Sequence, residues 1–514
     1  MHARWSYRIR AMFSAAHRPP STRPRPGSHR RHALRVVLLL VLSILAIPRA
    51  EARGPGFSPS VNAQVAAAKR TAPEIGVHIV EVSTGETVYS YRADTQRIIA
   101  SNTKLVTTAA ALDRLGPGYF FETEVLVRGE LENGVLRGDL GVLGGGDPNI
   151  SGRHYQGDPL GAFREWARSL HALGIERVAG DLVLYPEPFD GQLIHPDWPR
   201  DQLTRWYEAP VAGLSFNDNC VLVKVLPGGG GQARVETVPQ LGDLFEIEAN
   251  ARTTMRRRDQ WLSIDRKQSP GVENVLAVRG AIYRRTESVD KWVTVPDPVA
   301  YFGAALQRAL DEEGIAVTGG VRQVDRPLTG EGWRRLHVHR SDLLTTLEII
   351  NKRSQNFYAE SVLKTLGAEL CGEGSWAEGR RAVEEFLGEV GLDAGSYRLA
   401  DGSGMSRNNR FTPRQLTGLL RHMFFHPWGR EYVQTLPFSG EVDLRWERRL
   451  SEGPYRGNVM AKTGYLNGVT ALSGYAKARS GKIYAFSILS NRIRGKSVAN
   501  AAEDRIVRAL IDHG

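Results

Sequence analysis

The stretch Ile98-Ile99-Ala100-Ser101-Asn102-Thr103-Lys104-Leu105-Val106 decides how the chain is read. An apolar run delivers a serine to the start of a helical segment, predicted over Ser101–Leu115 and closed by Gly116-Pro117-Gly118. Ser101 and Lys104 then lie one turn apart on one helix face. A lysine amine there can reach the serine hydroxyl and take its proton, provided that burial beside other cations keeps it partly neutral. The helix N-terminus also favours negative charge developing on a substrate oxygen. Alone, the pattern is weak, because Ser-x-x-Lys also occurs at Ser288–Lys291 and Ser361–Lys364. Context separates the three. Ser288 follows the polar run Arg284-Arg285-Thr286-Glu287, which reads as a solvated turn, and Ser361 falls in mid-helix, where an exposed position is expected.

Two further patterns follow in order, Ser354-Gln355-Asn356 and Lys462-Thr463-Gly464. Ser-x-Asn recurs at Ser215–Asn217 and Ser406–Asn408, whereas Lys-Thr-Gly occurs once. Lys462 and Thr463 fall on a predicted edge strand, and Gly464 lets a substrate backbone approach it closely.

Around these motifs the element order is informative. Ile75–Val82 and Thr87–Tyr91 alternate about Ser83-Thr84-Gly85-Glu86, which predicts a hairpin. Strand-like runs recur near the end at Asn458–Tyr465, Thr470–Ala476 and Lys482–Ser490, before a last helix over Val498–Asp512. Two strands from the start and three from the end suit one antiparallel sheet flanked by helices. Residues 120–330 are instead β-rich and punctuated by glycine and proline. The expected fold class is therefore α/β, with residues 53–118 and 335–514 forming one domain and 119–334 inserted into it. Inside the insert two nested subdomains are expected, 119–146 with 235–334, and 147–234. The glycine clusters lack a following Gly-Lys-Ser/Thr, so they read as turns and not as a phosphate loop.

The chain has 514 residues and a formal net charge of +11. Residues 1–52 carry ten arginines and one acid, leaving 57 Lys and Arg against 55 acids beyond them. Their arginine-rich start, the apolar run Val36–Pro48 and Ala50-Glu51-Ala52 follow the grammar of a cleaved secretory signal. The expected mature chain is exported to the periplasm and nearly neutral, which removes the case for a nucleic-acid partner. An uncleaved membrane anchor is the alternative for the same segment. Cys220 and Cys371 leave a disulfide open, and His337 and His339 read as strand positions, not metal ligands.

Together and in this order, the three motifs resemble those of penicillin-binding proteins and serine β-lactamases. The long interval between Ser101 and Ser354 is similar to that of the class C low-molecular-mass penicillin-binding proteins, a D-Ala-D-Ala carboxypeptidase/endopeptidase family. Phe189-Asp190-Gly191, Pro196-Asp197-Trp198-Pro199, Asn351-Lys352 and Asp401-Gly402-Ser403-Gly404-Met405-Ser406-Arg407 strengthen it. The resemblance implies a penicilloyl-serine transferase fold and an acyl-enzyme on Ser101. Lys104 would be the base, Ser354 a proton relay to the leaving amine, and Asn356 the holder of Lys104 and of the substrate amide. Lys462 and Thr463 would serve the substrate carboxylate, and the backbone N–H groups of Ser101 and Tyr465 the oxyanion. No metal or organic cofactor is implied. The implied partners are peptidoglycan peptides ending in D-Ala-D-Ala, β-lactams as covalent inhibitors, and peripheral contact with the cell wall. Tyr465 departs from the small hydroxyl residue common after Lys-Thr-Gly and puts carboxylate binding in question. A β-lactamase-like hydrolase and a catalytically weak peptidoglycan-binding scaffold are the competing readings. The Asp401–Arg407 stretch reads as a tight turn supporting the cleft, and the ten tryptophans as packing more than as sugar platforms.

Overall fold

A computed structural model describes residues 57–330 and 332–514. The expected signal segment, 1–52, lies outside them.

The five-stranded sheet is built from both ends of the chain. Its strands are β1 (Glu74–Glu81), β2 (Thr87–Tyr91), β3 (Val459–Leu466), β4 (Val469–Lys477) and β5 (Ile483–Asn491), in the spatial order β3-β4-β5-β1-β2. Every neighbouring pair is antiparallel, as the sequence predicts. Helices α1 (Phe57–Ala68), α2 (Thr103–Leu115), α3 (Asn356–Cys371), α4 (Pro413–Phe425) and α5 (Lys496–His513) frame it.

The two faces of the sheet separate by the period-two alternation of strand side chains. Ile75, Val77, Val459, Ala461, Leu472 and Phe486 share one core with Val61 of α1 and Ile506 of α5. Met460, Ala471, Tyr475 and Ala485 share the other with α2, α3 and α4. On β3 this parity sends Lys462 toward the α2–α3 side and Thr463 and Tyr465 toward the α5 side. Both faces of β5 are covered, which explains its unbroken run of buried residues.

The insert has its own core around Phe163, Trp166 and Phe302. Phe120–Glu132 pairs with Val135–Leu143 and with Trp333–Asp342, in a sheet that also takes Leu182–Tyr185. Residues 220–294 supply two three-stranded sheets, Cys220–Pro227 with Ala233–Val238 and Val289–Thr294, and Glu246–Thr254 with Trp261–Arg266 and Val275–Tyr283. Turn composition marks the breaks between strands but carries no information on which strands pair.

His337 and His339 lie on a strand, with their rings near Trp166. Cys220 and Cys371 are both free thiols. Ser361 and Lys364 correct the expectation of an exposed mid-helix site. Both are buried, because α3 passes between other helices and the insert.

Candidate active site

Ser101 sits in a 3-10 turn, Ala100–Asn102, which passes directly into α2. Ala100 holds φ at +46°, a left-handed conformation that costs roughly 1–3 kcal/mol and persists only where the surroundings enforce it. Gly404 forms part of that enforcement. A Cβ there would lie 1.9 Å from the Ala100 carbonyl oxygen, so only glycine lets the 401–407 turn close against the backbone that leads into Ser101. Ser354 is also left-handed, at φ +58°.

Lys104 is wholly buried behind Ser101. Its Nζ lies 3.2 Å from Ser101 Oγ, 2.7 Å from Asn356 Oδ1 and 2.7 Å from the Ser403 carbonyl oxygen. The Asn356 amide is oriented by its other end, where Nδ2 donates to the Tyr207 carbonyl at 2.8 Å. Amide and carbonyl oxygens only accept. A neutral lysine has two N–H groups and one lone pair. Two acceptor-only neighbours take the hydrogens and leave the lone pair facing the serine hydroxyl. Burial supports the neutral form, pushing Lys104 down to about 7 against the pull of Glu360 and Asp401.

A second lysine stands opposite. Lys462 Nζ donates to Ser354 Oγ at 2.8 Å and is held far below the lysine range by burial, then by the nearby charges of Lys104 and Arg445. The β3 edge is tied to the turn that carries Ser101, since Asn102 Nδ2 donates to the Lys462 carbonyl at 2.9 Å. At Gly464 a Cβ would meet the Ile99 carbonyl oxygen at 2.8 Å and the Ser101 nitrogen at 3.1 Å. The absence of a side chain there lets the strand edge lie against Ser101. Ser101, Ser354, Asn356, Thr463, Gly464 and Tyr465 open together onto a cleft of about 580 Å³. All eight expected site residues thus converge, Lys104 and Lys462 from behind the cleft wall.

Several supporting residues are not evident from the three motifs. Glu360 is fully buried and accepts from the Gly402 and Ser403 backbone N–H groups and from Trp376 Nε1. Those bonds fix the turn whose Ser403 carbonyl holds Lys104. Burial, with Asp401 nearby, pushes the Glu360 carboxyl up. Its signal was available: Glu360 lies four residues after Asn356, on the same face of α3. Asp401 braces the turn from within by accepting from the Gly404 and Ser406 nitrogens and from Trp198 Nε1. The insert also reaches the motif: Gln355 Nε2 donates to Asp218 Oδ2 at 2.6 Å. Arg407 Nη1 donates to the Asn467 carbonyl beyond Tyr465, and the Ser403 side chain is buried.

Residues 60–512 match the D-Ala-D-Ala carboxypeptidase 3 (S13) family. The chain belongs to this family. It is accordingly a serine-type D-Ala-D-Ala carboxypeptidase. It is 31% identical to a D-alanyl-D-alanine carboxypeptidase of Actinomadura sp. (strain R39), over 96% of this chain and 93% of that one. The crystal structure of penicillin binding protein 4 (dacB) from Haemophilus influenzae superposes on this carboxypeptidase with a TM-score of 0.74 at 26% identity. The match covers 87% of this chain and 98% of that one. A complex of the H. influenzae protein with a β-lactam shares the fold, at a TM-score of 0.71 and 24% identity, covering 87% and 99% of the two chains. Among the described residues of this carboxypeptidase, no helix is long and apolar enough to cross a membrane.

Proposed function

We propose that the protein is an exported DD-peptidase that cleaves peptidoglycan stem peptides and their cross-links through an acyl-enzyme on Ser101. The observation that carries this reading is the environment of Lys104, whose only free valence in the neutral state faces Ser101 Oγ.

The chemistry follows from the geometry. Ser101 Oγ attacks the penultimate D-Ala carbonyl as its proton passes to Lys104 Nζ. The resulting oxyanion lies against the backbone N–H groups of Ser101 and Tyr465, donors each worth about 3–4 kcal/mol in comparable sites. Collapse of the tetrahedral adduct breaks the C–N bond, and the leaving amine takes the proton that Lys104 gained, relayed through the Ser354 hydroxyl that Lys462 holds, so that Lys104 is neutral again. Water then attacks the ester, Lys104 takes its proton, and Ser101 is released with the carboxylic acid. Lys104 is thus returned to its starting state by the proton that restores Ser101.

Labelling with a fluorescent penicillin tests this mechanism. Wild-type protein is expected to form a long-lived covalent adduct and Ser101→Ala none. Labelling of Ser101→Ala would overturn the assignment of the nucleophile. Release of free D-Ala from monomeric muropeptides, together with splitting of cross-linked dimers, is expected. Binding to sacculi with neither product would favour the scaffold reading, and rapid turnover of the penicillin the β-lactamase-like one.

A further inference from the structure

The end of the cleft beyond Tyr465 carries a charge imbalance that the steps above do not use. Arg445 and Lys496 line it, and Arg353 lines the same cleft beside Ser354. Among the described residues, none of these three cations has a carboxylate within ion-pair distance. Arg449, four residues from Arg445 and lining the same cleft, is neutralised by Glu503 at 2.7 Å and Asp504 at 2.6 Å. Lys496 Nζ lies 4.0 Å from the centre of the Tyr465 ring, a cation–π contact that holds the ammonium at the cleft wall without cancelling its charge. Arg445 stands near enough to both Lys496 and Lys462 to disfavour their protonation.

The strand parity adds direction. Thr463 and Tyr465 face the α5 side, and α5 begins at Lys496, so its positive N-terminal end also points here. An uncompensated group of like charges at the mouth of a catalytic cleft is unfavourable unless a bound anion completes it. An anion held there would share the cleft that Thr463 and Ser101 line.

We propose that Arg445 and Lys496, with the Tyr465 ring as the platform for the lysine, bind the free α-carboxylate of the residue leaving on the amine side of the scissile bond. This rests on the DD-peptidase reading and deepens it. Thr463 supplies one hydroxyl to that carboxylate. The two cations do the work that a second hydroxyl in place of Tyr465 would otherwise share. The terminal D-Ala of a stem peptide and the D-centre of a diamino-acid cross-link both carry such a carboxylate, so one subsite serves both reactions.

The test separates recognition from catalysis. In a Ser101→Ala background, the affinity of Nα,Nε-diacetyl-Lys-D-Ala-D-Ala is compared with that of its C-terminal amide by calorimetry. The free acid is expected to bind about 100-fold more tightly at low salt, since hydrogen bonds to charged groups are worth about tenfold each. Arg445→Ala and Lys496→Ala each close about tenfold of that gap, and Lys496→Arg restores most of its share. High salt narrows the gap in the parent and leaves the double variant unchanged. Both residues are exposed, so unchanged thermal unfolding is expected and shows that the fold is intact. An acid-to-amide ratio that survives both substitutions overturns the proposal. Failure of the DD-peptidase reading would show separately, as absence of D-Ala release by the protein with Ser101 intact.

Discussion

Ser101–Lys104 and Ser361–Lys364 are the same four-residue pattern, both on helices and both with a fully buried lysine, yet their chemistry is opposite. Lys364 donates to Asp190 Oδ1 at 2.5 Å and to the Gln192 carbonyl at 2.7 Å, and lies 4.0 Å from the Trp376 ring centre. Its serine turns away and donates to the Phe357 carbonyl. Lys364 is an ion-paired strut between α3 and the insert. Lys104 has no direct carboxylate partner among its hydrogen bonds, only neutral oxygens, so burial can strip its proton. A buried lysine becomes a base when the fold withholds its counter-ion.

Exchanging the two roles gives the largest effects. Lys104→Ala is expected to slow acylation by penicillin about 10³–10⁴-fold with the unfolding transition preserved. Lys364→Ala should do the reverse, lowering stability by about 3 kcal/mol and leaving acylation intact at a temperature where the chain stays folded. That figure is at the low end for a broken buried pair because the Asp190 side chain is 23% exposed. Stopped-flow labelling and thermal denaturation together check both. Equal losses of stability in the two variants would erase the distinction.

Next comes Gly464→Ala. The added methyl meets the turn of Ser101 and displaces the strand edge, and a misplacement of about 1 Å can cost about 100-fold in rate. The pH profile is gentler. Lys104 acts only when neutral, and its folded-state value is about 7. Acylation should therefore rise with pH, falling about tenfold per unit below that point and levelling above it. A rate independent of pH between 5 and 7 would deny Lys104 the role of base. The smallest effect is that of Gln355→Ala, which cuts the bond to Asp218 and is expected to cost about 1 kcal/mol of stability. Its acylation rate should change by less than that of Gly464→Ala.

The catalytic half was legible because its signals are local. The hairpin at 74–91, the three closing strands and the spacing of Ser101, Ser354 and Lys462 can all be read from residue order. The roles of Glu360, Asp401 and the Tyr207 carbonyl could not be read so directly. Each acts through a contact between segments distant in sequence, and the Tyr207 contact involves a backbone atom that has no sequence identity. Lys364 was misread for the same reason, since its partner Asp190 lies 174 residues away. The pairing of the insert's strands was not legible, because alternation predicts strands and not their neighbours.

The sheet joining the two chain ends sets an order of assembly. Glu74 pairs with Asn491 and Glu81 with Tyr484, so β1 waits more than 400 residues for its partner. Contacts so far apart form slowly, because a long loop must close before they stabilise anything. The insert draws its strands from within 120–342 and can organise while the C-terminal strands are still being delivered. A chain emerging N-terminus first therefore carries its serine and lysine early but without the β3 edge beside them. The reactive site comes into being only when the β3 edge, and the β5 strand that joins it through β4 to β1, have both arrived.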